Sequence, residues 1–382
     1  MMQSRRKFLA LIGGGVVLAA GGGGGAYLAT RTPTGAIEPW YVAGSDYQEP
    51  RMRALSYAVL APNPHNMQPW KVDVSEDGRA VLYVDTNRLL PETDPFGRQI
   101  TIGLGCFLGL LDMAAAEDGY RTQRDLFPEG SDDKVLDGRP VAVIRFEKDA
   151  TIAKDLLFRQ VLLRRSTKEP YSERAVSADA LRELEAAALP GAAVRTDASD
   201  ELSTALRELT WNAWQREYAT PAKQRESVEV MRLGKREIEA SPDGIDLGGG
   251  MLEILIAAGI ITREALADPS SEAYRQGIGM YRAMCETSRA FVWVNTPGNS
   301  RTDQIAAGDC WLRVNLAATR LNLCVQPMSQ ALQEYEEVRD YYGEAHRLLA
   351  APGETVQMLG RLGYTDPVPP SPRWRIEHKI IG

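Results

Sequence analysis

Hydrophobic and polar positions divide the chain into distinct textures. From Ala10 to Thr30 no side chain is charged, and Leu, Val, Ala and eight Gly run on directly from Ser4-Arg5-Arg6-Lys7-Phe8-Leu9. Residues 31–46 read as an extended linker. Arg51 to Leu60 has a helical pattern, stopped by Ala61-Pro62-Asn63-Pro64 because each proline disfavours helix just before it. Trp70–Val74 and Ala80–Val84 alternate as two strands of a hairpin around Glu76-Asp77-Gly78. Gln99 to Tyr120 is almost wholly apolar, yet Asp112, Glu117 and its flanks predict a buried central helix rather than a membrane span. Val141–Phe146 is a further strand.

The second half repeats this order. Ala178–Ala188 is a helix behind a Ser177 cap, Ala290–Val294 a strand, and Asp303–Leu321 a long helix that leads through Asn322–Met328 into another strand. Arg98-Gln99-Ile100-Thr101-Ile102-Gly103 matches Asp303-Gln304-Ile305-Ala306-Ala307-Gly308 at an offset of 205 residues. Both matches open a long helix, so the pattern predicts duplication and fusion of one α+β unit. The expected organisation is a leading segment 1–30, a first half 31–150, and a second half 151–382. The second half carries an insertion at about 211–269 that includes Gly248-Gly249-Gly250.

Composition narrows the function classes. A length of 382 residues with 44% hydrophobic and 25% charged positions is an ordinary globular mix, and suggests two core-sized units. The net charge of −7 speaks against a general nucleic-acid binder, which carries a basic footprint. Cys106, Cys285, Cys310, Cys324 and His65, His346, His378 are too scattered for a zinc knuckle or a redox CxxC, so no metal site is expected. The glycine runs do not follow a strand in the way a dinucleotide-binding turn requires.

The paired Arg5-Arg6, the Phe8 behind them and the weakly apolar stretch resemble a twin-arginine export signal, with a short transmembrane anchor as the alternative. The translocase is then a partner, and the location is periplasmic or tethered on the outer side of the inner membrane. That route carries folded proteins, often with a bound cofactor.

Four further segments point to one family. Ala61-Pro62-Asn63-Pro64-His65-Asn66-Met67-Gln68-Pro69-Trp70 resembles the S-P-S-x-x-N-x-Q-P-W motif of the nitroreductase family of FMN proteins. Leu163-Arg164-Arg165-Ser166-Thr167-Lys168 is similar to its R-R-S segment, and Asn322–Ser329 to its Pro-Met turn. Gln357–Tyr364 with Pro367–Arg373 resembles its basic C-terminal strand and tail. Ordinary members place R-R-S first and build two FMN sites between subunits. Here the motifs are shared between the halves, which is similar to the Acg-like branch, a one-chain mimic of the dimer. The resemblance implies a monomeric tandem α+β nitroreductase-like fold with one complete FMN site.

It also implies residue roles. Arg164, Arg165 and Ser166, with Arg361 or Arg373 arriving from far along the chain, would hold the FMN phosphate through charge-assisted bonds. Asn63, Asn66 and Gln68 would meet ribityl hydroxyls and the flavin edge, since amides both donate and accept. His65 lies in the same loop, where an idle loop histidine is the plainer reading. Pro327, Met328, Ser329 and Gln330 would present backbone N–H groups to the flavin, and Gln304 would neighbour it. No side-chain catalyst is expected, because the flavin carries the chemistry. The implied activity moves reducing equivalents from NAD(P)H, or a redox partner, to a nitroaromatic or quinone-like acceptor. The alternatives are an FMN-sequestering protein whose insertion lids the site, and a decayed relative without flavin.

Overall fold

A computed structural model describes residues 32–382. The expected export signal lies outside the described residues. After two short turns of helix at Thr34–Ile37 and Pro39–Val42, the first half runs α1 (Pro50–Ala58), β1 (Trp70–Asp73), β2 (Arg79–Val84), α2 (Arg98–Glu117), β3 (Tyr120–Leu126) and β4 (Pro140–Lys148). Proline at the first position of α1 suits a helix start, and the Glu49 carboxylate accepts from the N–H groups of Arg51 and Met52 at 3.2 and 2.9 Å.

The second half opens with α3 (Ala178–Glu185) and β5 (Ala193–Asp197). A long excursion follows: α4 (Asp200–Tyr218), α5 (Pro221–Glu229), β6 (Met231–Leu233), α6 (Gly234–Ala240), β7 (Ile245–Leu247), α7 (Gly250–Ala257), α8 (Arg263–Ala267) and α9 (Glu272–Glu286). It closes with β8 (Ala290–Thr296), α10 (Arg301–Arg320), β9 (Cys324–Pro327), α11 (Arg339–Leu349) and β10 (Thr355–Gly363).

Two four-stranded antiparallel sheets result, ordered β1-β2-β4-β3 and β5-β8-β10-β9. The topology is the same in both: a strand pair, a long helix, then two strands of which the second inserts beside the first pair. The fold is α+β and internally duplicated. Where the first sheet joins its opening pair by a tight turn at 74–78, the second joins β5 to β8 through residues 198–289. The excursion is therefore wider than the 211–269 segment read from the sequence.

The structure corrects the repeat register. α2 starts at Arg98 and α10 at Arg301, so equivalent positions lie 203 residues apart. Arg98 then matches Arg301, Ile102 matches Ile305 and Gly105 matches Gly308, whereas Gln304 matches Thr101 rather than Gln99. The six-residue match two positions out of register was a coincidence of Gln, Ile and Gly in similar helices. Sequence reading also missed β3 and β5, which are half-exposed and weakly patterned.

α2 and α10 pack on each other at the centre. A Cβ on Gly105 would stand 2.3 Å from the Ile305 carbonyl oxygen, and one on Gly308 would stand 2.1 Å from that of Ile102. Glycine at both positions is what lets the two backbones touch. Phe107 and Trp70 fill the adjoining core with ring centroids 5.0 Å apart. Each fully buried Leu or Ile there contributes roughly 1.5–3 kcal/mol.

The first residue of each long helix reaches into the opposite half. Arg98 donates to the Gln357 carbonyl at 2.7 Å, to Leu332 O, and to Glu334 at 3.2 Å. Arg301 donates to Phe96 O at 2.7 Å, Asp132 O at 2.9 Å and Thr101 Oγ1 at 3.1 Å. Both side chains are fully buried. Only one described helix, Arg98–Glu117, is long and apolar enough to cross a membrane, and 89% of its apolar window is buried inside the protein, as a core helix requires.

Gly308→Ala should force the two helices apart and lower stability by about 1–3 kcal/mol, as overpacking does. Urea unfolding checks this against Gly343→Ala, whose Cβ would meet nothing within 4 Å. Equal midpoints for the two variants would contradict the close-contact account.

Candidate functional site

The loop that follows α1 is rigidified by Pro62 and Pro64 and strained at three positions. His65, Asn66 and Gln68 have φ of 47°, 54° and 50°, the left-handed region that non-glycine residues enter at a cost. Internal and long-range bonds impose that shape. Gln68 N donates to Asn63 Oδ1 at 2.7 Å, and Asn66 Nδ2 donates to Pro372 O at 3.0 Å. Gln68 Nε2 donates to Pro242 O at 2.7 Å while its Oε1 accepts from Trp374 N at 2.9 Å. The amides of Asn66 and Gln68 are thus spent on holding the loop to the C-terminal tail and the insertion. Gln68 is fully buried and has no group left for a ligand.

Three guanidinium groups converge beside this loop. Arg164, Arg165 and Arg373 lie 5.5, 4.8 and 5.4 Å from the ring centroid of Trp40. Trp40 itself is buried and anchored by its Nε1, which donates to Ser371 O at 2.8 Å. Arg164 donates to Leu60 O at 3.1 Å, Arg373 to Ala61 O at 3.3 Å and to Asn66 Oδ1 at 2.5 Å. These acceptors are neutral. Among the described residues, the one carboxylate whose charge bears on the three is Asp246, acting on Arg373.

The electrostatic consequence is plain. Burial, reinforced by Arg165, holds the Arg164 guanidinium down at about 10, and burial with Arg164 alongside holds Arg373 down at about 9. Buried cations without counter-charges are costly unless an anion completes the site. The Nε atoms of Arg165 and Arg373, and Nδ1 of His65, are shut off from solvent with no hydrogen-bond partner in the protein. Such orphaned donors around a ring of cations form a cradle for a dianion.

A second part of the site lies at the end of β9. Arg361 connects it to the first: its Nε donates to Gln326 Oε1 at 2.6 Å, and its Nη2 donates to Glu169 O at 2.7 Å. It also donates to Met284 O at 3.0 Å and stacks on Tyr171 at 3.8 Å. Arg361 therefore stands apart from the arginine cluster as a clamp that stitches residues 167–169 to the sheet. The structure does not bring it to the expected phosphate position.

In the following turn, Met328 N donates to Leu359 O at 2.8 Å, so that donor is already used, leaving Ser329 and Gln330 to carry the turn's remaining N–H groups. Pro327 ends the strand, and Ser329 is half-buried. The Gln330 side chain accepts from Tyr281 Oη at 3.0 Å and donates to Glu217 at 3.2 Å. Gln304 is buried at the start of α10, accepting from Arg301 at 3.0 Å and donating to Asn299 O at 3.0 Å. It is committed to helix packing. Ser166 is half-buried beside Arg165.

The insertion covers the loop. Gly244 N donates to Asn66 O at 3.1 Å, and Asp243 accepts from Arg88, Arg232 and the Trp374 indole at 2.5, 2.6 and 2.7 Å. Although burial raises its pKa, these partners hold Asp243 below the ordinary carboxylate range. Over the β9 turn, Trp214 stacks on Tyr281 with centroids 4.2 Å apart and on Tyr218 at 4.6 Å. Burial pushes the Glu217 carboxyl up, while Tyr335 Oη donates to it at 2.7 Å. A cavity of about 370 Å³ between α6, α7 and α8 is separate from this site.

Sequence reading missed Trp40, which it placed in a linker, and Asp243. The signal for Trp40 was present in Pro39-Trp40-Tyr41, an aromatic pair uncommon in a true linker. Asp243 carried none, because its three partners come from 88, 232 and 374.

Comparison with known proteins gives partial likenesses. No family model matches the chain. It is 32% identical over 122 residues to the protein named "Putative NAD(P)H nitroreductase acg" of Mycobacterium tuberculosis, a match spanning 31% of this chain and 35% of that relative. The match thus covers about a third of the relative's length. Among solved structures, a "putative nitroreductase" from Anabaena variabilis aligns with a TM-score of 0.41 and 12% identity, over 87% of this chain and 91% of that one. The FMN-dependent nitroreductase NfnB of Mycobacterium smegmatis in complex with NADPH gives a TM-score of 0.36 and 16% identity, over 58% and 94%.

Burial, with Lys168 nearby, holds the His65 imidazole down at about 4 against an ordinary 6.5. The folded chain therefore binds fewer protons than the unfolded one between these values, and stability falls as pH drops from 6.5 towards 4. The loss from this group should reach about 2 kcal/mol by pH 5. Denaturant midpoints at pH 7 and pH 5 check it, and His65→Gln should show a smaller drop than the parent.

Proposed function

We propose that this chain binds FMN and is an oxidoreductase of nitroreductase type. One observation carries the reading: the buried guanidiniums of Arg164 and Arg373 and the half-buried one of Arg165 gather about one indole, with unpartnered nitrogens and no ion-paired carboxylate among the described residues. A phosphate dianion on a flexible chain is the ligand chemistry that such a cradle fits. The match to a protein named as an NAD(P)H nitroreductase agrees with it.

Arg164, Arg165 and Arg373 would hold the phosphate, with His65 donating from Nδ1 as a neutral ring. Asn63, Asn66 and Gln68 would act one step away, by fixing the strained loop. Arg361 would keep the β9 turn at a set distance from the cradle, so that the turn's free N–H groups face the ring end of the cofactor. Bound FMN supplies two-electron redox chemistry, taking reducing equivalents from NAD(P)H or a redox partner and passing them to a nitroaromatic or quinone-like acceptor. The protein's part is binding, orientation and exclusion of water. Export by the twin-arginine route, and a monomer with one FMN, belong to the same proposal.

Arg373→Ala and Arg164→Ala should each weaken FMN retention about tenfold to a hundredfold, the value of one charge-assisted bond. The visible spectrum and flavin-to-protein ratio of purified protein measure this, with one FMN per parent chain expected. Arg5→Lys with Arg6→Lys should block export and leave the flavin in place. A fully flavinated Arg373→Ala Arg164→Ala double variant would remove the basis for the cradle.

A second reading, an FMN store with little turnover, is favoured by the way Ser241–Gly244 is bolted onto the strained loop. Asp243→Ala removes the bolt. If the closed insertion limits turnover, NADPH oxidation with a nitrofuran should rise several-fold in this variant. Brisk turnover by the parent protein would exclude the storage reading.

A further inference from the structure

Between β4 and the arginine cluster runs a short helix, Leu156–Leu163, of the tighter three-residue-per-turn kind. At that pitch positions three apart share a stripe. Phe158, Val161 and Arg164 line the inner stripe, and Val161 and Arg164 are buried. The outer stripe is Leu156, Arg159 and Leu162. Leu156 is 67% exposed, Leu162 39%, and the neighbouring Leu163 64%. A helix end that shows leucine to water on this scale has no reason in the fold.

The same face holds a tyrosine from elsewhere in the chain. Arg165 donates from Nη1 to Leu162 O at 2.9 Å and lies 4.8 Å from the Trp40 ring, and the neighbouring Tyr41 acts on the Arg165 charge, which places the helix Pro39–Val42 near the end of the helix Leu156–Leu163. Trp40 turns inward and is buried, while Tyr41 turns outward and is 70% exposed. Around this apolar group the charge is reversed relative to the chain as a whole. From 148 to 168 the exposed cations are Lys148, Lys154, Arg159 and Lys168, of which Lys154 pairs with Glu117 at 3.4 Å, against two acids, in a chain of net charge −7; Arg164 and Arg165 belong to the site already described. Both acids are engaged internally: Asp149 pairs with Arg121 at 2.6 Å, and Asp155 pairs with Arg313.

We infer that the face formed by Tyr41, Leu156, Leu162 and Leu163 seats on an anionic lipid bilayer. Leucines entering the acyl boundary, a tyrosine at the headgroup level and cations among the phosphates are the three elements of an interfacial contact. Position in the chain favours lipid over a protein partner. Residues 8–30 carry no charge, a run about as long as the ~20 residues that cross a bilayer, and Tyr41 follows them closely. At most ~3.5 Å per residue, that spacing keeps the face within a few tens of ångströms of the point where such a run would leave the membrane.

The test is hydrogen exchange on the full chain, with vesicles of phosphatidylglycerol and phosphatidylethanolamine, with vesicles of phosphatidylcholine, and without lipid. Amides of 39–44 and 156–165 should slow about tenfold with the anionic vesicles, as the face is shielded from water at the headgroup level. Phosphatidylcholine should produce little change. Tyr41→Ser with Leu163→Ser, and separately Leu156→Ser, should reduce that protection while leaving the melting temperature within a few degrees, because all three positions are exposed.

Three results would overturn the inference. One is vesicle binding with unchanged exchange in both segments, which would make the leading stretch the sole membrane contact. Another is lipid-independent protection that rises with protein concentration, which would make the face an interface between copies. The third is lipid-independent protection at all concentrations, which would mean that residues 8–30 already cover it.

Discussion

The contact of α2 with α10 governs the rest of this protein. Two backbones meet where Gly105 faces Gly308, and no side chain separates them. That approach fixes the two sheets against each other and places the loop after α1 beside the segment after β4. The Arg98 and Arg301 side chains then lock the arrangement from both ends, each reaching neutral carbonyls in the other half. The site is a by-product of this geometry. Its loop comes from the first half and its cations from the second.

Electrostatics then separates arginines satisfied within the fold from the three about Trp40. Arg361, Arg98 and Arg301 are as buried as Arg164, but their N–H groups meet carbonyls and side chains at bonding distance. Arg164, Arg165 and Arg373 repel one another across a shared indole, and the Nε atoms of Arg165 and Arg373 find no partner. The difference lies in the company each keeps: like charges about Trp40, carbonyls and carboxylates elsewhere. A fold tolerates three such groups together when something else supplies the missing negative charge.

Much of the architecture was legible because it rests on local pattern. The hairpin of β1 and β2, the apolar helix with two acids near its end, and the proline-bounded loop each follow from a short stretch of sequence. The resemblance pointed to Arg164, Arg165 and Arg373, and the structure gathers these three about Trp40. What escaped depends on long-range pairing. Arg361 looks as basic as Arg373 in sequence, and only its bonds to Gln326, Thr167 and Glu169 show that it is a clamp. Gln68 looked like a ligand for a hydroxyl, yet Pro242 and Trp374 already occupy it. The repeat register slipped by two because helix interiors reuse the same few small and apolar residues.

The distribution of the cradle along the chain sets an order on synthesis. The strained loop emerges first, Arg164 and Arg165 follow after the first sheet is complete, and the Ser241–Gly244 cover is made next. Arg373, with the Asn66 and Trp374 contacts that shape the loop, comes after every strand of the second sheet. A nascent chain therefore exposes cover and loop before it owns its last cation. On the proposed reading, capture of a cofactor would be a late event, one that reports that both halves have been made and have met.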